Sequence, residues 1–181
     1  MTSTTKWAMG LAVLLAALLQ QPFVWGQLRT HSGSGSGGIA HPKALERQVF
    51  QLTNEARRKH GLSPLDPDQT LMTLARKKSD DMIKRHYFSH TDPEGKTIRD
   101  KYAEEGPAAG KMAGVGENIC VSGGGDHETV AHNIVDSFMV SPGHRRNILE
   151  PAYTHLGIGI STKGKEYYVT QSFGASSNNS P

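Results

Sequence analysis

The chain has 181 residues and a formal net charge of +3, which is about the length of one domain and only modestly basic. Its single cysteine, Cys120, excludes an internal disulfide, so the fold must rest on its apolar core. The basic clusters Arg57-Arg58-Lys59 and Arg76-Lys77-Lys78 read as solvated helix faces, and without aromatic interleaving or a recognisable motif they do not point to nucleic acid. Cys120 itself reads as a small buried apolar residue rather than a nucleophile.

Residues 1–26 carry Lys6 followed by a short apolar run from Trp7 to Leu19, with small residues near Gly26. This is the pattern of a secretory signal cleaved after Gly26. The run is short of the ~20 residues a bilayer span requires, although an uncleaved N-terminal anchor is the alternative. No later segment is expected to cross a membrane. Residues 27–42 include Ser32-Gly33-Ser34-Gly35-Ser36-Gly37-Gly38, a flexible linker. A folded domain is expected over 43–175, and a disordered tail over 176–181.

The domain opens with a helix whose Leu45, Val49, Leu52 and Ala56 form one apolar stripe. Gly61 stops it, and Leu62 to Leu65 run extended. A second helix starts near Pro67, capped by Asp68, turns Leu71, Ala75, Met82 and Ile83 inward, and ends around His86. Thr91 to Gly95 form a turn. A short helix spans Thr97 to Glu105, a loop Gly106 to Gly116, and a short strand Glu117 to Val121. Asp126 caps the next helix, whose core face is Val130, Ala131, Ile134, Val135 and Phe138. Pro142-Gly143 then breaks the chain and delivers His144. The end of the domain is a hairpin: His155 to Ile160, a turn at Lys163-Gly164, and Tyr167 to Phe173. Helices early and late with strands between and after them give an α+β fold, a small antiparallel sheet packed between helices.

Three segments carry the chemistry: Phe88-Ser89-His90, Gly116-Glu117-Asn118-Ile119, and Ser141 to Leu149 with the sequence SPGHRRNIL. They supply two imidazoles and a carboxylate, the usual ligand types for zinc and similar divalent ions. The spacing is not a zinc motif, since no His-Glu-x-x-His is present. The plainer alternative makes Glu117 a buried carboxylate that braces the loops around it, with His90 and His144 as its partners. Ser89 and Ser141 each lie near a histidine, but neither sits in a Gly-x-Ser-x-Gly elbow.

Together with Leu52-Thr53-Asn54-Glu55-Ala56-Arg57, Leu156-Gly157-Ile158-Gly159 and Thr170-Gln171-Ser172-Phe173-Gly174, these words resemble the CAP superfamily. This is the SCP-like family of cysteine-rich secretory, antigen 5 and pathogenesis-related 1 proteins, here in its cysteine-poor bacterial branch. The resemblance runs from about Leu45 to Gly174. It implies an α-β-α sandwich, a secreted or cell-envelope location, and a cavity of two histidines and two acids that holds divalent metal in some members. Carried over by motif, the cavity here is His90, Glu117 and His144. Ser141 stands three positions after Phe138, where eukaryotic members place the second acid, so one anionic ligand is missing. Asn118 and Asn147 fall as backbone-bracing groups.

Two functions follow as expectations. The first is a non-enzymatic binding module that takes a divalent cation such as zinc, or a small polar or lipid ligand, through this cavity. Its extracellular partner would be a lipid, a wall polymer or a protein. The second is a metal-dependent hydrolase or protease with His90 and His144 as ligands and Glu117 as ligand or general base.

Overall fold

The computed structural model describes residues 43–106 and 112–177. The signal segment, the linker and residues 178–181 of the expected tail lie outside the described residues. The elements in chain order are α1 (Lys43–Lys59), β1 (Asp66–Pro67), α2 (Gln69–Lys84), α3 (Ile98–Glu105), β2 (Met112–Gly123), α4 (His127–Val140), α5 (Pro142–Ile148), β3 (His155–Lys163) and β4 (Glu166–Ser176). The four strands make one sheet in the order β1-β3-β4-β2. Only the two-residue β1 runs parallel to its neighbour. α2 and α3 cover one face, and α1, α4 and α5 cover the other. The chain is therefore an α+β protein with an α-β-α sandwich.

A sheet covered on both faces buries consecutive residues of its central strand instead of alternate ones. Val169 to Gly174 of β4 are all buried, and β3 is buried from Leu156 through Ser161. On one face α2 comes unusually close. A Cβ placed on Gly157 would lie 2.2 Å from the backbone of Leu71 and Met72, and one on Gly159 2.1 Å from Ala75 and Arg76. Those two glycines let helix backbone rest on strand backbone. Ser79 fastens the contact, donating to the Gly159 carbonyl at 2.9 Å and meeting the Thr170 hydroxyl at 2.9 Å.

The buried face of α1 is more polar than its leucine stripe suggests. Leu45, Val49 and Phe50 are buried, and so are Glu46, Thr53, Asn54 and Arg57. Leu52 and Ala56 are only half-buried, so the inward stripe is turned by about one residue from the expected one. Each buried polar group on it has a partner, as burial demands. Glu46 receives a two-pronged guanidinium from Arg76, with N–O distances of 2.6–3.2 Å, and the Ile160 amide of β3 at 3.2 Å. Asn54 exchanges two hydrogen bonds with Leu65 and holds the extended segment against the helix.

Arg57 corrects the reading of its cluster as a solvated face: it is 1% exposed. Its guanidinium donates to the carbonyls of Ser63 (2.9 Å), Ile148 (2.8 Å), Glu150 (2.9 Å) and Tyr153 (3.3 Å). It thus ties α1 to the end of α5 and to the loop leading into β3. Arg76, on its salt bridge, and half-buried Lys78 depart from the same expectation.

Three further differences bear on the site. β2 starts at Met112, well before Glu117, and pairs with β4 through Ser176, so part of the expected loop is strand. Gly116 answers a packing need: a Cβ would meet the Tyr153 hydroxyl at 2.2 Å. Pro142 does not simply break the chain. It occupies the first turn of α5, where its missing N–H costs nothing and its fixed φ favours a helix.

Replacing Gly159 with alanine is expected to cost at least the roughly 3 kcal/mol upper end of ordinary overpacking, because backbone rather than a side chain must move. Urea denaturation of Gly159→Ala beside the wild type measures it, and a loss below about 1 kcal/mol would contradict the close approach.

Candidate functional site

His90 is delivered by the end of α2. The Tyr87 amide donates back to the Met82 carbonyl at 3.1 Å, and His86 adopts a left-handed φ of 56°. This is the Schellman way of closing a helix, with histidine where glycine is usual. It turns the chain sharply, so that Phe88-Ser89-His90 crosses toward β2. Asp92 then fixes the turn that follows: its Oδ1 accepts the amides of Glu94 (3.0 Å) and Lys96 (2.8 Å), and its Oδ2 pairs with Lys101 at 2.9 Å. Lys101 above all, with the Lys96 and Glu94 amides, holds the Asp92 carboxyl down at about 2.

Glu117 lies on β2 with its side chain 4% exposed. Its Oε1 meets His90 Nδ1 at 2.8 Å. Its Oε2 is buried and has no hydrogen-bond partner. His144 occupies the first turn of α5, its ring set edge-on to Phe138 with centroids 5.1 Å apart. Burial lowers the affinity of His144 for a proton, and the nearby His90 lowers it further. The neutral imidazole is therefore favoured.

Two asparagines fix these pieces relative to each other. Asn118 donates to the His144 carbonyl at 3.1 Å and to Gln171 Oε1 at 3.0 Å. Asn147 donates to the Glu117 carbonyl at 3.0 Å and to Asn118 Oδ1 at 2.8 Å. Both brace backbone, as expected of them. Gln171 continues inward, donating to Thr53 Oγ1 at 2.8 Å.

The structure thus joins His90 directly to Glu117 and brings His144 within electrostatic reach of His90. Ser141 lies at the junction of α4 and α5 and makes no side-chain cap bond. Among the described residues no hydrogen bond links it to Glu117 or to either histidine. Ser89 is taken up in its own turn with Thr91, at 3.1 Å. Among the described residues, no three His, Cys, Asp or Glu side chains are arranged to hold a metal ion together. Cys120, also on β2, is partly exposed, but burial pushes its thiol up to about 12, which leaves little thiolate at neutral pH.

One residue of interest departs from the solvated helix face expected of its cluster. Lys78 is half-buried and lines, with Glu117, a cavity of about 310 Å³ beneath α2 and α3. Burial pushes its ammonium down, while Glu117, then Asp92 and Asp81, pull it back. A sequence signal for this existed: Lys78 continues the inward stripe of Leu71, Leu74, Ala75 and Met82.

The model of the cysteine-rich secretory protein (CAP) family matches residues 50–173, and the chain belongs to that family. It is 39% identical over 130 residues to the uncharacterised protein YkwD of Bacillus subtilis, covering 72% of this chain and 47% of that one. An extracellular SCP-domain protein from Bacillus anthracis superposes with a TM-score of 0.62 at 31% identity, over 74% of this chain and 41% of that one. An outer surface protein of Borrelia burgdorferi shares the fold, with a TM-score of 0.65 at 18% identity, over 78% of this chain and 99% of that one. The chain thus spans less than half of the two bacillar proteins. Among the described residues no helix is long and apolar enough to cross a membrane.

His144 sets a pH dependence. Its proton affinity is below the ordinary imidazole value of 6.5 in the folded chain, so the unfolded chain binds the proton more readily. Its contribution to stability is therefore full above about pH 6.5. It is lost as pH falls toward the depressed folded value. Melting His144→Gln and wild type side by side between about pH 8 and 5 should show the wild type losing more on acidification; parallel curves would remove His144 as the cause.

Proposed function

We propose that this chain is an exported binding module, and that Glu117, with His90 bonded to it and His144 nearby, receives a small polar ligand that supplies a hydrogen-bond donor or a positive charge to its carboxylate. The observation that carries the reading is the unpartnered, buried Glu117 Oε2. Leaving a buried carboxylate oxygen unsatisfied costs stability, and folds keep such costs where a function uses them. Export is supported by the signal-like N-terminus and by the extracellular and outer-surface descriptions of the two structural relatives. The unactivated Cys120 gives no support to covalent catalysis, and among the described residues neither Ser89 nor Ser141 is bonded to an imidazole that could activate it.

The alternative role, a fold brace, makes the opposite prediction about stability. For a binding carboxylate, Glu117→Gln leaves unfolding free energy within about 1 kcal/mol of wild type or raises it, because a buried charge short of partners is removed. For a brace, it lowers the melting temperature clearly. Chemical denaturation of Glu117→Gln decides between the two.

A second reading places a divalent cation such as zinc on His90, His144 and Glu117. Its support is the chemistry of the donors: an unpartnered carboxylate oxygen, and an imidazole that burial keeps in the neutral, ligating form. The arrangement does not fit a metal centre as it stands, since no three such side chains among the described residues converge, and no chemical step is routed through a metal. Calorimetric titration with zinc tests the reading: micromolar binding that disappears in both His90→Ala and His144→Ala supports it, and no binding to the wild type removes it.

A further inference from the structure

The cavity beneath α2 and α3 is walled by charge, and most of that charge is already paired. Lys77 meets Glu105, Arg85 meets Glu94 at 2.7 Å, and Lys101 meets Asp92 at 2.9 Å. Lys84, exposed to solvent, lies outside these pairs, and so do two less exposed lining groups of opposite sign, Lys78 and Glu117. Lys78 Nζ has one weak hydrogen bond, to the Tyr87 hydroxyl at 3.4 Å, and lies 4.9 Å from the centre of that ring. The Tyr87 hydroxyl gives its own proton to Asp81 at 2.7 Å. Glu117 turns Oε1 to His90, which does not line this cavity, and keeps a buried oxygen with no partner. Glu117 is the acid that Lys78 feels most strongly, yet no ion pair joins them. Leu74 and Ile98 supply buried apolar wall between the polar groups.

We propose that this cavity binds a small zwitterion: an amino acid or short peptide with free termini, its ammonium on Glu117 Oε2 and its carboxylate on Lys78 Nζ. The chemistry follows from the two unmatched groups that are withdrawn from solvent, half-buried Lys78 and buried Glu117. An ammonium satisfies the buried oxygen that no described residue satisfies, and a carboxylate gives the half-buried lysine the charged partner it lacks. A purely anionic ligand would leave Glu117 facing like charge, and a purely cationic one would do the same to Lys78. The cavity volume, about 310 Å³, sits at the small end of ligand sites, fitting a ligand of amino-acid or dipeptide size. The inference rests on the binding role of Glu117 but not on either histidine; it names the ligand class and adds Lys78 as the second anchor.

Calorimetric titration with alanyl-alanine tests it. The expected result is saturable binding by the wild type, weakened about tenfold or more by either N-acetylation or C-terminal amidation of the dipeptide. Lys78→Met should weaken it by a similar factor. Glu117→Gln should do the same if it folds, and if it does not, the blocked dipeptides and Lys78→Met decide alone. Failure of the wild type to saturate, equal binding of blocked and free dipeptides, or an unchanged Lys78→Met would each overturn the proposal. A His144→Ala protein that loses the dipeptide would move the ligand to the histidine cavity and overturn the assignment to this one. Loss confined to Lys78→Met and Glu117→Gln supports it even if the histidine variants show nothing.

Discussion

A chain of buried amide hydrogen bonds runs beneath the site and holds its parts in register. It begins at Thr53 on α1, passes through Gln171 on β4 and Asn118 on β2, and ends at Asn147 on α5. Thr53, Gln171 and Asn118 are fully buried. Asn118 and Gln171 each donate to one neighbour and accept from another, so the chain fixes orientation as well as distance. Four elements that are remote in sequence are thereby set at fixed spacing. The backbones of Glu117 and His144 hang from its end, through the bonds of Asn147 and Asn118. Removing one member would leave at least one buried amide group without a partner, which costs more than the bond itself is worth.

The opposite face of the sheet solves a different problem. Gly157 and Gly159 remove the side chains that would keep α2 away from β3. The close contact sets the position of Lys78 and of the last turn of α2, and through that turn the position of His90. Arg57 works at the periphery, gathering carbonyls from the end of α5 and from the two connecting segments that hold Ser63 and Glu150 to Tyr153. Such a guanidinium acts as an internal node, and its charge is spread over hydrogen bonds instead of one counter-ion.

Much of this was legible in the sequence because periodicity and punctuation are local. The helices at 43–59, 69–84 and 127–140 follow from apolar spacing, with Asp68 and Asp126 capping as expected. Gly164, with φ of 62°, makes the hairpin turn. The residues of the site were legible as types and words; the bond of His90 to Glu117 and the nearness of His144 to His90 come from the structure. What was not legible depends on contacts distant in sequence. Arg57 and Lys78 sit on inward stripes but look like members of basic surface clusters; the carbonyls of Ser63, Ile148, Glu150 and Tyr153 hold Arg57 inside, and Lys78 is half-buried by its place on the inward stripe of α2. Met112 to Gly116 reads as loop because its glycines answer to Tyr153 and β4. Ser141 carries no signal for its place between two helices, because proline at a first helical turn and proline as a breaker look alike in sequence.

The shortness of α5 has a consequence for how the site comes into being. Seven residues are too few for a helix to persist alone in water, so the turn bearing His144 borrows its order from Arg57, Asn118 and Phe138. The site is then not a decoration on a finished scaffold. Its His144-bearing turn takes shape only once strand, first helix and fourth helix have met. Amide exchange along 142–148 therefore reports on the docking of the whole sandwich.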